Sequence, residues 1–186
     1  MSEVLNENIT FENTNSIEKA EYDNCTFINC DFSDANLSYY VFSECTFSNC
    51  NLSNAKLNET GLKDVKFTNC KLLGLSFDDC SDFLFDVAFT NCQLNFASFF
   101  KMKLKGTKFN SCVIQEVDFT AADLTNAEFN ECDLNRSVFE SCKLNKVDFR
   151  TAFNYSIDPE SNQIGKAKFS RDGIIGLLHK YELDIS

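Results

Sequence analysis

Eight phenylalanines at nearly constant spacing constrain the fold of this chain more than any other feature. They are Phe27, Phe47, Phe67, Phe89, Phe109, Phe129, Phe149 and Phe169. Six of the seven steps are 20 residues long, and the step from Phe67 to Phe89 is 22. A fixed period of this length is typical of a solenoid, in which each coil stacks on the last and buries the same position again.

The 20-residue step divides into four units of five residues, each centred on a large apolar side chain. This pattern runs from Phe27 to Phe77, slips by two residues, and resumes from Leu84 to Phe149. Neither the helical period of 3.6 nor the strand period of 2 fits it. A chain that turns a corner every five residues does fit, and four such corners close a square.

The centres fall into four columns, which we name faces A to D, and face A is the phenylalanine column. Face B has the centres Phe32, Leu52, Leu72, Leu94, Ile114 and Leu134. Face C has the centres Leu37, Leu57, Phe77, Phe99, Phe119 and Phe139. Face D has the centres Tyr22, Phe42, Leu62, Leu84, Leu104, Leu124, Leu144 and Ile164. Because the columns survive the two extra residues, the sequence predicts a local bulge at one corner, near Ser81–Phe83.

Local motifs resemble those of the pentapeptide-repeat family, whose unit is Ala-Asp/Asn-Leu-x-x. The best matches are Ala35-Asn36-Leu37, Ala122-Asp123-Leu124, Cys30-Asp31-Phe32 and Cys132-Asp133-Leu134. The resemblance covers about residues 15–153 and implies a right-handed quadrilateral β-helix. We therefore expect an all-β solenoid of about seven coils with a short C-terminal α-helix cap. The expected division is an N-terminal cap at 1–14, the repeat at 15–169, and a C-terminal helix and tail at 170–186.

The C-terminal segment combines a helix start with a surplus of apolar residues. Ser170 is a candidate N-cap. An apolar stripe at helical spacing follows, made of Ile174, Ile175, Leu177, Leu178 and Tyr181. The stripe either caps the last coil or also pairs with a second copy. This segment looks like that of Qnr-type members, which protect DNA gyrase from quinolones and dimerise through a C-terminal helix, so the resemblance implies a homodimer.

Ten cysteines share one position in the repeat. Cys25, Cys30, Cys45, Cys50, Cys70, Cys80, Cys92, Cys112, Cys132 and Cys142 stand two residues before a centre or where a centre is expected. There they replace alanine as small buried hydrophobes. We expect ten free thiols and a reducing, cytoplasmic location. We expect no metal site, since the single histidine, His179, lies outside the repeat, and we expect no cofactor.

The net charge of −11 is unevenly distributed. Residues 1–60 hold 10 acids and 2 bases, residues 61–110 hold 5 and 7, and residues 111–186 hold 13 and 8. Acidic outward positions either maintain solubility or imitate a nucleic acid. We expect no basic stripe that could neutralise phosphates, and we therefore expect no direct nucleic-acid binding. No apolar run approaches 18 residues, and no membrane span is expected.

A filled prism offers no cleft with positioned titratable groups, so we expect no catalytic residues and no enzyme. Two hypotheses remain. One is a DNA mimic that binds type II topoisomerase (DNA gyrase or topoisomerase IV) and protects it from quinolones; the other is a rigid interaction scaffold with an unknown partner. The candidate partner-binding residues are Asp118, Asp123, Glu128 and Asp133, expected to line one corner, and Asp82 and Phe83 at the bulge. Phe83 either points outward or folds back over the corner.

Overall fold

The computed structural model describes residues 5–184. Residues 1–4 and 185–186, assigned above to the N-terminal cap and the C-terminal tail, lie outside the described residues. The strands are β1 (Leu5–Glu7), β2 (Thr10–Glu12), β3 (Glu21–Asp23), β4 (Thr26–Ile28), β5 (Val41–Ser43), β6 (Thr46–Ser48), β7 (Gly61–Lys63), β8 (Val65–Thr68), β9 (Val87–Thr90), β10 (Lys108–Asn110) and β11 (Glu128–Asn130). A 3₁₀ helix, η1, spans Phe77–Asp79. Within residues 5–184 no helix is long and apolar enough to cross a membrane.

Two parallel sheets form two faces of the solenoid. On face D the strand order is β1-β3-β5-β7, and on face A it is β11-β10-β9-β8-β6-β4-β2. The register follows the repeat, so that Phe27 pairs with Phe47 and Phe109 pairs with Phe129. Faces B and C are joined by isolated parallel bridges at the same spacing, such as Asn51 to Lys71. The chain is therefore a parallel β-solenoid, as predicted.

The core is built from stacked aromatic rings. On face A the rings from Phe27 to Phe149 lie nearly parallel, with centroids 4.5–5.5 Å apart along the column. Face C repeats the arrangement from Phe77 to Phe139, and its rings meet those of face A edge to face. These face A stacks mark six full turns, not the seven predicted, because the outermost coils are incomplete. With the stacks of Phe11 on Phe27 and of Phe169 on Phe149, the column has eight steps and is about 40 Å long.

A positive φ at the second residue after most centres turns the chain at the corners. Asn49 and Asn69, with φ of 55° and 54°, are examples. Asparagine tolerates this left-handed conformation better than most residues. On faces B and C a backbone hydrogen bond closes a β-turn at the corner, as from Ala35 N–H to Phe32 C=O. Corner side chains also stack, since Asn69 Nδ2 donates to Asn49 Oδ1 at 3.1 Å.

The N-terminal segment joins the solenoid as an incomplete coil. Strands β1 and β2 extend the two sheets, and Phe11 stacks on Phe27 with centroids 5.1 Å apart. The step from Phe11 to Phe27 is 16 residues, four fewer than in a full coil. A shortened first coil thus covers the core with the same kind of ring that fills it.

All ten cysteines are free and buried, as predicted. Most of their thiols donate to carbonyl oxygens, as from Cys50 Sγ to Phe27 O at 3.3 Å. Burial raises the pKa of Cys45 to about 12 and that of Cys142 to about 11. Such thiols are protonated at neutral pH and therefore poor nucleophiles.

The predicted C-terminal α-helix is replaced by two short 3₁₀ helices, η2 (Gly173–Leu177) and η3 (His179–Tyr181). The N-cap position of η2 is Asp172 and not the predicted Ser170, although Ser170 Oγ accepts a hydrogen bond from the Gly173 N–H at 2.9 Å. Gly176 then lies directly against Tyr155, and its carbonyl accepts a hydrogen bond from the Ile157 N–H at 2.9 Å. This attachment to the last coil holds the segment in a tighter helix with i to i+3 hydrogen bonds, such as Leu178 N–H to Ile175 C=O.

Candidate interaction surfaces

The four candidate carboxylates are spread around the solenoid instead of lining one corner. Each immediately precedes a centre, so Asp118 lies on face C, Asp123 on face D, Glu128 on face A and Asp133 on face B. Four successive centres occupy four different faces, and the expectation of a shared corner is therefore wrong. All four are half-buried, and together they encircle one coil.

Asp118 and Asp133 are engaged in turns on faces C and B. Asp118 Oδ1 accepts from the Thr120 N–H at 2.8 Å. Asp133 accepts from Gln115 Nε2 at 2.6 Å and from Asn154 Nδ2 at 2.8 Å. No lysine or arginine in the described part of the chain lies within ion-pair distance of either carboxylate. Their negative charge is available to a partner.

Asp123, on face D, is neutralised by its neighbours. Its carboxylate lies 3.4 Å from Lys105 Nζ and 3.7 Å from Lys143 Nζ, and it accepts from Thr125 Oγ1 at 2.7 Å. Burial acts to raise the pKa of Asp123, but the hydrogen bonds from Thr125 and Lys105 outweigh it and lower the pKa. Asp123 is therefore a poor candidate for an acidic contact.

The bulge presents its apolar residues differently from the prediction. Leu84, assigned to the face D column, is 65% exposed and has a φ of 58°. Phe85 takes the inward position, with its ring centroid 6.5 Å from that of Phe77. Val87 is buried in β9, Asp86 before it is exposed, and Phe85 is half-buried against the core. The assignment of Leu84 to the core is therefore wrong.

Phe83 points outward. Its side chain is 64% exposed, and Lys63 Nζ lies 5.4 Å from the ring centroid. Beside the bulge, a groove of about 600 Å³ opens on face D, lined by Leu84, Phe85, Lys103 and Lys105 among others. The outward alternative is confirmed, and the two extra residues create an exposed apolar point beside a groove.

The C-terminal apolar stripe divides into two parts. Ile174, Ile175 and Tyr181 are exposed, whereas Leu177 and Leu178 are half-buried. Lys180 fixes this segment to the turn that precedes it, with Nζ 2.8 Å from Asp158 and 2.6 Å from Glu160. The segment thus covers the last coil and still leaves apolar side chains in solvent.

Sorting the charges by face reveals a basic edge, defined here as faces D and A with the corner between them over residues 103–168. It carries eight bases, namely Lys103, Lys105, Lys108, Lys143, Lys146, Arg150, Lys166 and Lys168. Its three acids are Asp123, Glu128 and Asp148, which leaves a net charge of +5. Glu128 therefore lies among bases. The conclusion that the chain has no basic stripe is wrong.

Faces B and C of the same coils, with their corners, form an acidic edge. It carries Glu116, Asp118, Glu131, Asp133 and Glu140 against the single base Arg136. Arg136 pairs with Glu116 at 3.5 Å. Within residues 5–184 no three His, Cys, Asp or Glu side chains are grouped so that they could hold a metal ion.

Two family models match the repeat. A model of the pentapeptide repeat region matches residues 20–82 and 41–119, and a model of eight pentapeptide repeats matches residues 112–150. The chain belongs to the pentapeptide-repeat family. No curated protein shows significant sequence similarity to it.

A solved pentapeptide-repeat structure shares the fold along nearly the whole chain. A trypsin-treated variant of QnrB1, a plasmid-mediated fluoroquinolone resistance protein, aligns with a TM-score of 0.50 and 20% identity over 99% of this chain and 98% of that one. HetL from Nostoc sp. strain PCC 7120, involved in heterocyst differentiation regulation, aligns with a TM-score of 0.44 and 18% identity over 92% and 89%. At these identities the likeness concerns the fold.

The basic edge of this pentapeptide-repeat protein could have been found from the sequence. Residues 103–168 are nearly balanced when read in order, because acids and bases alternate between faces. Assigning the residue before and after each centre to that centre's face separates them. The net charge of each face therefore predicts the basic edge, whereas the net charge of a sequence segment combines residues from all four faces.

Proposed function

We propose that this protein is a non-enzymatic rod that binds a DNA-binding surface of a type II topoisomerase, DNA gyrase or topoisomerase IV, in competition with DNA. The observation that carries the proposal is the acidic surface held on a stacked core. Residues 5–60 have nine acids and two bases, a net charge of −7 spread over all four faces. The acidic edge continues this surface along the later coils.

The acidic edge narrows the candidate contacts. Asp118 and Asp133 lie on it, with no lysine or arginine of residues 5–184 within ion-pair distance, and we assign them to the partner-binding surface. Asp123 and Glu128 face the basic edge and are removed from that surface. Asp82 and the exposed Phe83 offer a second contact, because a ring in solvent beside a groove gains by burial against a partner.

If the protein binds a type II topoisomerase in this way, we expect it to protect that enzyme from quinolones. QnrB1, which shares the fold, is described as a fluoroquinolone resistance protein. A rigid acidic rod that occupies a DNA-binding surface would reduce the amount of enzyme on DNA, where a drug-stabilised cleavage complex forms. The ten buried, free thiols support a reducing, cytoplasmic location for this activity.

A rigid interaction scaffold with another partner is the second candidate function. The basic edge favours it, since a surface that imitates DNA has no need of eight bases on one side. In that case the rod would hold partners of opposite charge on its two edges.

We further propose a twofold dimer through the C-terminal segment. Ile174, Ile175 and Tyr181 are exposed on η2 and η3 at the end of the rod, next to the half-buried Leu177 and Leu178. A twofold contact uses the same patch on both subunits, so one apolar end suffices. Such a dimer would join two rods end to end and double the length of the acidic surface.

Supercoiling by purified DNA gyrase, with and without a quinolone, tests the function. We expect the protein to inhibit supercoiling at micromolar concentration and to relieve drug inhibition at lower concentration, with both effects weakening as salt rises. The double variant Asp34→Asn, Glu44→Asn should weaken both effects. Both residues occupy positive-φ corners, where asparagine stands in other coils, so the fold is preserved.

The matched control is Asp123→Asn, Glu128→Gln, which removes the same charge from the basic edge. It should act like the wild type. If the wild-type protein neither inhibits supercoiling nor relieves the drug at low salt, the topoisomerase proposal is wrong. If both double variants lose activity equally, the acidic surface does not carry the binding.

A further inference from the structure

We infer that the basic edge is a docking surface for an extended acidic segment of a partner protein. This goes beyond the proposed function and does not depend on it, because it concerns the opposite side of the rod. The inference is based on the basic side chains of this edge that form no ion pair with residues 5–184.

Two of the three acids of the basic edge, Asp123 and Asp148, are each paired with two cations. Asp148 lies 2.7 Å from Arg150 and 3.3 Å from Lys168, and Asp123 lies within 3.7 Å of Lys105 and Lys143. A further set of lysines has no carboxylate within ion-pair distance among residues 5–184, namely Lys103, Lys108, Lys146 and Lys166. The edge therefore has cationic groups free for an external anion.

The edge also has a concave shape. A groove of about 430 Å³ runs along the corner between faces D and A, lined by Asn126, Glu128, Lys146, Asp148, Lys166 and Lys168. Lys146 and Lys166 are successive corner residues with positive φ, and the Lys146 N–H donates to the Gly165 carbonyl one coil on. The stacked coils thus hold their side chains side by side at a fixed interval of about 4.8 Å.

The length of the edge favours a short acidic peptide over a nucleic acid. From the coil of Lys103 to that of Lys166 is three coil steps, about 14 Å, which matches roughly four or five extended residues. Beyond it, faces D and A over residues 5–66 carry six acids and two bases. A nucleic acid that ran along the rod would meet this repulsive stretch, whereas a short acidic segment would not.

The test measures binding of a fluorescein-labelled octaglutamate peptide by anisotropy at low salt. The variant Lys146→Asn, Lys166→Asn should bind at least about fivefold more weakly than the wild type. Asparagine already stands at the preceding position of this corner, Asn126. The control, Lys56→Asn, Lys71→Asn, removes two charges from faces C and B, where Asn36 and Asn51 precede them in the same columns. It should bind within about twofold of the wild type.

Three outcomes would overturn the inference. The first is no binding of the peptide at millimolar protein, and the second is equal weakening in both double variants. The third is a different occupant: a single-stranded oligonucleotide of equal charge that binds more tightly than the peptide, or low-salt self-association that only Lys146→Asn, Lys166→Asn abolishes. Circular dichroism of all variants checks that the solenoid remains folded.

Discussion

The rings of Phe109 and Phe129 lie parallel, with centroids 4.7 Å apart, although 20 residues separate them in the chain. The same rings meet Phe119 edge to face from the neighbouring column. From Phe89 to Phe129, each phenylalanine of face A has one parallel partner in each adjacent coil and perpendicular partners on face C. In this part of the core, each ring packs against several neighbouring rings, some parallel and some perpendicular to it.

Removal of one of these rings should therefore strongly destabilise the fold. We expect Phe109→Ala to lower the free energy of unfolding by about 3–5 kcal/mol, because the stacked coils cannot collapse into the cavity. Phe100→Ala is the control, since that ring is partly in solvent with Lys101 Nζ 4.6 Å from its centroid. Urea denaturation measures both, and equal losses would contradict a closely packed core.

Leu84 should be replaceable with a gain in stability. It is exposed and holds a left-handed conformation that leucine adopts unwillingly. We expect Leu84→Asn to raise the free energy of unfolding by up to about 1 kcal/mol. The same change at Leu104, which is buried on face D, should destabilise strongly. A large decrease in the free energy of unfolding for Leu84→Asn would contradict the exposed position of Leu84.

Asp148 should make part of the stability depend on acid pH. The hydrogen bond from Arg150, aided by one from Lys168, lowers the pKa of Asp148 from 3.8 to about 2. A lowered pKa means that the ionised form stabilises the fold above pH 3.8, and that this contribution is lost as the pH falls toward 2. Between pH 5 and pH 2.5, wild type should lose more unfolding free energy than Asp148→Asn. The loss of unfolding free energy in Arg150→Gln should be intermediate between the losses in these two proteins.

The C-terminal patch should control the oligomeric state. We expect the wild-type protein to sediment as a dimer at tens of micromolar, and Ile175→Glu to sediment as a monomer with unchanged circular dichroism. Introduced glutamates would meet each other across the twofold axis. Val138→Glu, on an exposed site of face C, should remain a dimer. A wild-type monomer, or loss of the dimer in both variants, would exclude this interface.

The period of five residues alone determined the repeat and its core. A side chain such as Phe129 has one inward position per corner, so its column, its burial and the free thiol of Cys132 all followed from spacing. The family resemblance added the β-helix. These features depend on a local pattern that recurs many times, so many units give the same prediction.

Only the tertiary structure decided the irregular and collective features. The two extra residues allowed either Leu84 or Phe85 to face inward, and in the structure Leu84 takes a left-handed conformation in solvent while Phe85 packs against the core. The C-terminal helix became 3₁₀ because Gly176 is bonded to the last coil through Ile157. The basic and acidic edges required knowing which residues share a face, since an electrostatic surface depends on distances in space and not along the chain.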